Sequence, residues 1–225
     1  MSLNITIIAT VMVFSALFVK DLSSKEIPLP EPSYKGEKSL EEAIEQRRTI
    51  RDFKSNSLTI KNLSQILWAA DGITDKRRMF RSAPSAGALY PLDIFVAVGK
   101  NGISGLEAGV YQYIPERHSL RLIKEGDVRK LLAKAALQQM WIAGAPVVVV
   151  ITGCYKRCTI KYGDRGIPYT YIEAGHVGQN IFLQCEALGL SAGIVGAFYN
   201  QRVIECLGIK KENDPILVMP VGYKK

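Results

Sequence analysis

The chain is poor in the residues that ligate metals or staple loops. It holds two histidines, His118 and His176, and four cysteines, Cys154, Cys158, Cys185 and Cys206. No two cysteines form a C-x-x-C pair, and Cys154 and Cys158 lack the further neighbours a zinc site needs. No metal site is expected, and reduced, partly buried thiols suit a reducing compartment. No G-x-G-x-x-G follows a predicted strand, so a Rossmann dinucleotide site has no support. The net charge is +8, yet no long Lys/Arg block is present. Short basic groups such as Arg47-Arg48, Arg51, Lys76-Arg77-Arg78 and Lys224-Lys225 suit a phosphate pocket better than a polyanion track. Nucleic acid is therefore not an expected partner. Internal repeats and low-complexity tracts are absent too.

What is present divides into three parts. Residues 1–20 are a hydrophobic segment, and Leu3 to Val19 carries no charge. As a helix it would reach roughly 26 Å, against a hydrocarbon core of roughly 30 Å. A cleaved signal peptide would want a basic start and a small-residue cleavage site, and neither is seen. A membrane anchor and a tail packed on a partner subunit remain, and the anchor is the reading taken. Lys20, Lys25, Lys35 and Lys38 all follow the run, which places the main domain on the cytoplasmic side. Residues 21–38, with Pro28, Pro30, Pro32 and Gly36, read as a linker. Residues 39–225 are the folded domain.

Within that domain Ser39 and Glu42 form a capping box for a helix reaching about Arg48. Thr59 caps a second helix that Gly72 stops. Residues 73–91 read as loop, Ile94–Val98 as a strand, and Val110–Ile114 with Leu120–Ile123 as a hairpin. Asp127–Gln139 reads as helix, and Pro146–Thr152 as a buried central strand. Residues 153–167 read as polar loop and Tyr169–Leu188 as a long helix. Ala192–Phe198 reads as strand, Gln201–Leu207 as helix, and Ile216–Val221 as a last strand. Such an order, short of strand–helix–strand alternation, predicts an α+β fold with helices around one central mixed sheet.

Four segments carry candidate chemistry. Arg47, Arg48, Thr49 and Arg51 offer guanidinium forks and a hydroxyl of the kind that grip phosphate, although cations at a helix end also answer the helix dipole. The stretch from Arg81 to Pro91, with its small residues and Gly87, lets backbone approach a flat ligand to which Ser85 can donate, or is an ordinary surface loop ahead of a strand. On the third segment Ala174, Val177, Gly178 and Ile181 share a helix face for another helix or a partner chain, with His176 read as a packed, hydrogen-bonded histidine. The glycine-rich stretch from Ala192 to Phe198 could turn bare backbone N–H groups to a ligand, or is a strand with a bulge.

In order and spacing, R-R-T-I-R-D-F, P-S-A-G-A-L-Y-P, E-A-G-H-V-G-Q-N-I-F-L-Q-C-E-A-L-G-L, G-I-V-G-A-F and P-V-G-Y resemble the nitroreductase superfamily. The second and third segments look like its SagB-type dehydrogenase branch, named for oxidases of azoline heterocycles in modified peptides. The likeness covers about residues 38–223. It implies a nitroreductase-like α+β fold, an intertwined homodimer and FMN held at the subunit interface. Arg47, Arg48, Thr49 and Arg51 then match the grip on the FMN phosphate and ribityl chain, with Lys224 as a truncated basic C-terminus. Pro84, Ser85 and Ala86 match a loop reaching the partner's flavin. Val195, Gly196 and Ala197 match the stretch along the isoalloxazine, with the Gly196 N–H toward N5. Lys161-Tyr162 stands where azoline oxidases carry a catalytic pair, and is otherwise a solvent-facing loop.

The function expected from the resemblance is an FMN-dependent oxidoreductase of SagB type, acting on a small-molecule or peptide substrate. An NAD(P)H-dependent nitro or quinone reductase is the alternative. A non-catalytic, membrane-tethered flavin-binding or scaffolding protein is the rival of another class.

Overall fold

A computed structural model describes residues 26–225; the proposed anchor at 3–19 lies outside them. Among the described residues no helix is long and apolar enough to cross a membrane.

The described residues open with strand β1 (Glu26–Pro28) and helices α1 (Leu40–Gln46) and α2 (Ile60–Asp71). Both helices begin at reciprocal capping boxes, Ser39 with Glu42 and Thr59 with Asn62, each satisfying otherwise orphaned backbone N–H groups. A small hairpin follows, β2 (Ile73–Asp75) and β3 (Phe80–Arg81), within the stretch read as loop. Then come β4 (Leu92–Val98), β5 (Gly109–Ile114), β6 (Ser119–Glu125), α3 (Arg129–Ala135), β7 (Val147–Gly153) and α4 (Lys156–Tyr162). The chain ends with α5 (Gly166–Ala187), β8 (Ser191–Ala192), α6 (Asn200–Leu207) and β9 (Asp214–Gly222).

Seven strands form one sheet in the order β1-β6-β5-β4-β7-β9-β8. Its ladders are antiparallel, and a parallel element enters through the Thr49–Ala192 bridge at the β8 edge. Strand β7 explains the layering. Every residue in it is buried, because alternate side chains leave a strand on opposite faces. Val147, Val149 and Ile151 enter a core under α2 and α5, while Val148 and Val150 enter a second core under α3 and α6. The result is an α+β sandwich of helices on both faces of the sheet.

Three expectations need correction. The described part of the 21–38 linker is docked: β1 pairs with β6, Leu29 is buried, and Gln65 ties down both Ser33 backbone groups. Prolines suit an edge strand, where missing donors face away from the ladder. Residues 153–167 contain α4, hidden in the sequence because Tyr155 gives no side-chain cap. The helix is held by burial of Cys158 instead. The helix expected over Asp127–Gln139 stops at Ala135, since Leu137 and Gln138 adopt positive φ (54° and 62°).

Candidate active site

The predicted residues gather in two groups. The first starts where α1 stops. Arg47 leaves helical geometry as its C-cap, and the next residues run beside β8. Thr49 bridges Ala192, and the Ile50 N–H donates to the Ala192 carbonyl at 2.9 Å. Contact is close because Gly193 is bare: a Cβ there would lie 2.8 Å from the Ile50 carbonyl oxygen and 2.7 Å from the Trp141 ring. Further on, Phe53 bridges Lys224 and the Lys54 N–H donates to the Tyr223 carbonyl at 2.8 Å. The C-terminal residues are thereby laid along the same segment.

Arg47, Arg48, Thr49, Arg51 and Lys224 thus belong to neighbouring strands of backbone. Arg47 rests on the Phe182 ring at 5.1 Å and Arg51 on Trp141 at 5.7 Å. Among the described residues, none of these three arginines and not Lys224 forms an ion pair, whereas the adjacent Lys225 pairs with Asp52 at 2.8 Å. Arg48 donates to the Glu45 and Arg47 carbonyls, so it serves the end of α1. The Arg47 and Arg51 forks have no such task. Positive charge without a counter-charge is what binding an anion requires.

Beyond Gly193 the backbone opens. Val195 is buried and exchanges both backbone hydrogen bonds with Val218 at 2.9 Å, so it anchors the stretch and has no backbone group to spare. Gly196 and Ala197 are exposed, and a Cβ on Gly196 would meet nothing within 4 Å. Gly196 is three residues past Gly193, at most about 10 Å along the chain. A flat group with an anionic tail, as FMN is, asks for this combination of unpaired guanidinium and open backbone; the donor set fits it.

The second group lies around the P-S-A-G loop. Pro84 is exposed, and Ser85 and Ala86 are half-buried. The loop is left-handed at Gly87, Ala88 and Tyr90 (φ 61°, 53° and 45°), a backbone that Ala and Tyr resist. The Ser85 hydroxyl oxygen accepts the Tyr90 N–H at 2.9 Å. Lys161 and Tyr162 close α4, with the Lys161 ammonium 5.3 Å from the Tyr162 ring centre. A Cβ on Gly87 would stand 2.6 Å from Tyr162 Oη and 2.9 Å from Lys161 Nζ. The pair and the loop are therefore one unit, on a helix end and not in a polar loop.

Helix α5 separates the groups. Phe182 lies under Arg47 and Glu173 faces Ser85, nine residues away, or about 13 Å of helix rise. Two readings of α5 need correction. Ala174, Val177 and Ile181 are wholly buried within their own chain, and Gly178 packs on Leu217, Met219 and Ile194. This face meets its own sheet, not a partner. His176 is exposed, because it lies on the other side of the helix from Ala174 and Val177.

Sequence reasoning gave no role to the buried charges behind the loop. Asp71 accepts from Arg81, whose other nitrogen reaches Glu116 at 2.8 Å and whose guanidinium covers Tyr90 at 4.5 Å. Burial pushes the Asp71 carboxyl up to about 7 against the pull of Arg81. Glu173 is 2% exposed, and burial pushes it up to about 7 as well, with Ser85 and Arg81 opposing. The signal for Glu173 was available: an acid four residues before Val177 falls on the packed face of α5.

Comparison with known proteins agrees with this geometry. The nitroreductase family profile matches residues 44–223. A Methanocaldococcus jannaschii protein described as a nitroreductase is 49% identical over 199 residues, covering 88% of this chain and 96% of that one. The Escherichia coli microcin B17-processing protein McbC is 24% identical over 171 residues, 74% of this chain; the match spans 63% of McbC. The crystal structure of a nitroreductase from Ralstonia eutropha superposes with a TM-score of 0.78 at 27% identity, covering 90% of this chain and 91% of that one. On this evidence the chain belongs to the nitroreductase family.

Proposed function

We propose that this oxidoreductase is FMN-dependent, works as a homodimer, and is of SagB type, acting on a small-molecule or peptide substrate. The observation that carries the reading is the set of unpaired cations at Arg47, Arg51 and Lys224 beside the open backbone of Gly196 and Ala197. Bound FMN supplies acceptance and release of a hydride. The chain's own residues do the rest. The Arg47 and Arg51 forks and the Thr49 hydroxyl hold a phosphate, Arg48 stiffens the end of α1, and Gly196 and Ala197 offer N–H groups to a ring.

The P-S-A-G loop lies about 13 Å of helix away from the Arg47 group. A loop from a second copy would complete the site, which supports the dimer. Exposed Ile172 and Tyr171 on α5, with Leu40 and Ile44 on α1, offer apolar surface for that contact. Lys161 and Tyr162, close beside Gly87, would take or give a proton where a substrate meets the loop. Such a positioned group contributes about 10²–10⁴-fold.

The likeness to McbC, a microcin B17-processing protein, supports a dehydrogenase acting on a modified peptide; the M. jannaschii relative, described as a nitroreductase, supports a nitro reductase, for which NAD(P)H is the proposed donor. The uncharged run at 3–19, followed by lysines, supports a tether to the cytoplasmic face of a membrane. One experiment separates the two chemistries. Lys161→Ala and Tyr162→Phe are expected to keep bound flavin and lose most substrate-driven flavin reduction, while reduction by NAD(P)H persists. Wild-type rates with azoline peptide in both variants would remove the dehydrogenase reading.

A further inference from the structure

The ladder between β4 and β5 ends early. Its register runs from Val98 against Gly109 to Phe95 against Gln112. Strand β4 nevertheless continues to Leu92, held by β7, and β5 continues to Ile114, held by β6. Beyond Phe95 the two strands form a fork. A cavity of about 390 Å³ fills it, lined by Leu92, Asp93 and Ile94 on one side and Gln112, Tyr113 and Ile114 on the other. Ile94 and Tyr113 belong to the core under α2 and α5, while their chain neighbours Asp93 and Gln112 leave on the opposite face, so the gap runs through the sheet. The volume falls within the range of small ligand pockets.

The backbone of β4 faces into this fork. The Pro91 carbonyl accepts from Cys154 and the Gly99 N–H donates to Pro146, so odd-numbered residues of β4 turn their N–H and C=O groups to β7. By the same alternation Leu92 and Ile94 turn theirs to β5, where the register has ended. The Leu92 carbonyl takes a nitrogen of Arg157 instead, at 3.4 Å. A strand edge of this kind pairs with extended chain.

The same cavity is lined by Asp71 and Arg81. Asp71 is 1% exposed, and its Oδ1 has no hydrogen-bond partner. Arg81 gives one terminal nitrogen to Asp71 Oδ2 and the other to Glu116, and its buried Nε has no partner either. One acceptor and one donor are left over beside a single ion pair. An amide, which both donates and accepts, satisfies the two together. The other unpartnered buried atoms among the described residues, on Ser82, Ser119 and Glu173, belong to residues that do not line this cavity.

We propose that the fork between β4 and β5 binds an extended peptide segment: its backbone pairs with Leu92 and Ile94, and one of its amides meets Asp71 and Arg81. Leu92 to Ile94 spans about 7 Å of strand, so about three peptide residues are held. The slot adjoins the proposed chemistry. Arg157 on its rim stands one turn before Lys161 on α4, about 6 Å of helix rise, and Tyr90 on its wall closes the P-S-A-G loop. A peptide held here enters beside Lys161 and Tyr162, which makes an extended peptide the substrate class. That last step rests on reading the pair and the loop as the reacting site; binding in the fork does not.

The test is amide hydrogen exchange of the full chain with blocked hexaglycine and with blocked hexasarcosine, whose N-methyl groups replace the backbone N–H donors. Hexaglycine is expected to slow exchange at Leu92, Ile94 and Tyr113 by about tenfold and to leave the centre of β7 unchanged. Hexasarcosine is expected to slow none of them. Arg81→Lys keeps a cation for Asp71 but loses the Nε donor, and is expected to bind hexaglycine about tenfold more weakly. Equal protection by the two peptides would show contact without strand pairing and overturn the proposal. So would the absence of protection by hexaglycine up to its solubility limit. If Arg81→Lys does not fold, the two peptides on wild type decide alone. Protection by hexaglycine in a protein whose flavin no azoline peptide reduces would leave the slot supported and overturn the peptide-dehydrogenase reading.

Discussion

Two glycines three residues apart separate what the fold needs from what a bound cofactor needs. At Gly193 a new methyl would stand 2.7–2.8 Å from the Trp141 ring and from the Ile50 carbonyl oxygen. The carbonyl cannot retreat, because the Ile50 N–H is tied to Ala192. Trp141 must move, and it carries Arg51 on its face. Overpacking of this kind costs about 1–3 kcal/mol. For a domain of this size that lowers the melting temperature by roughly 2–12 °C. At Gly196 a methyl meets nothing within 4 Å, so Gly196→Ala should leave stability unchanged or raise it by up to about 1 kcal/mol. Flavin affinity should fall in both variants, in Gly193→Ala through a displaced Arg51 and in Gly196→Val through blocked backbone. Thermal unfolding and flavin fluorescence titration on each variant give the two readouts. A Gly196→Val protein that is stable and binds FMN with wild-type affinity would refute the placement of the cofactor along this stretch. A Gly193→Ala protein of unchanged stability would refute the tight join between the two segments.

Other outcomes follow from the same geometry. Glu173, raised from 4.5 to about 7, keeps in the folded state a proton that the unfolded chain releases, so its contribution to stability is present below about pH 4.5 and is lost as pH rises to about 7. The full loss is about 3 kcal/mol, so Glu173→Gln should match wild type in acid and exceed it by up to that amount near pH 8 in urea unfolding. A variant less stable than wild type at both ends would contradict the assignment. Ile172→Glu, on the exposed side of α5, is expected to shift the protein lacking residues 1–25 from dimer to monomer in light scattering, whereas wild-type mass in the variant would move the interface elsewhere.

Much of the scaffold was legible because local rules governed it. Ser39 and Thr59 announce their helices through side chains that cap backbone within the same turn. Gly208 stops α6 by taking the left-handed conformation that the residue after a helix adopts. The short β-branched run of β7 reads as a strand buried on two faces. What escaped depends on tertiary contact. Helix α4 has no cap to read and exists because Cys158 is buried. The small residues of α5 were visible, but small size says that something packs closely, not whether it is the chain's own sheet or a partner. At the site, residue types suggested the phosphate grip proposed above, while the unpaired state of Arg47 and Arg51 needed coordinates. That Val195 anchors its stretch was hidden, because its backbone hydrogen bonds go to Val218 on β9.

The central claim is that the Arg47–Arg51 segment holds the phosphate of FMN. Charge-assisted hydrogen bonds of the kind Arg51 would make are worth about 1.5–3 kcal/mol, or roughly tenfold or more in affinity. The direct measurement is fluorescence titration of flavin-stripped protein with FMN and with riboflavin, in wild type and Arg51→Ala. The account predicts that wild type prefers FMN, and that Arg51→Ala weakens FMN by about tenfold or more while leaving riboflavin unchanged. Equal affinity for the two flavins in wild type, or an Arg51→Ala protein that binds FMN as wild type does, would contradict it.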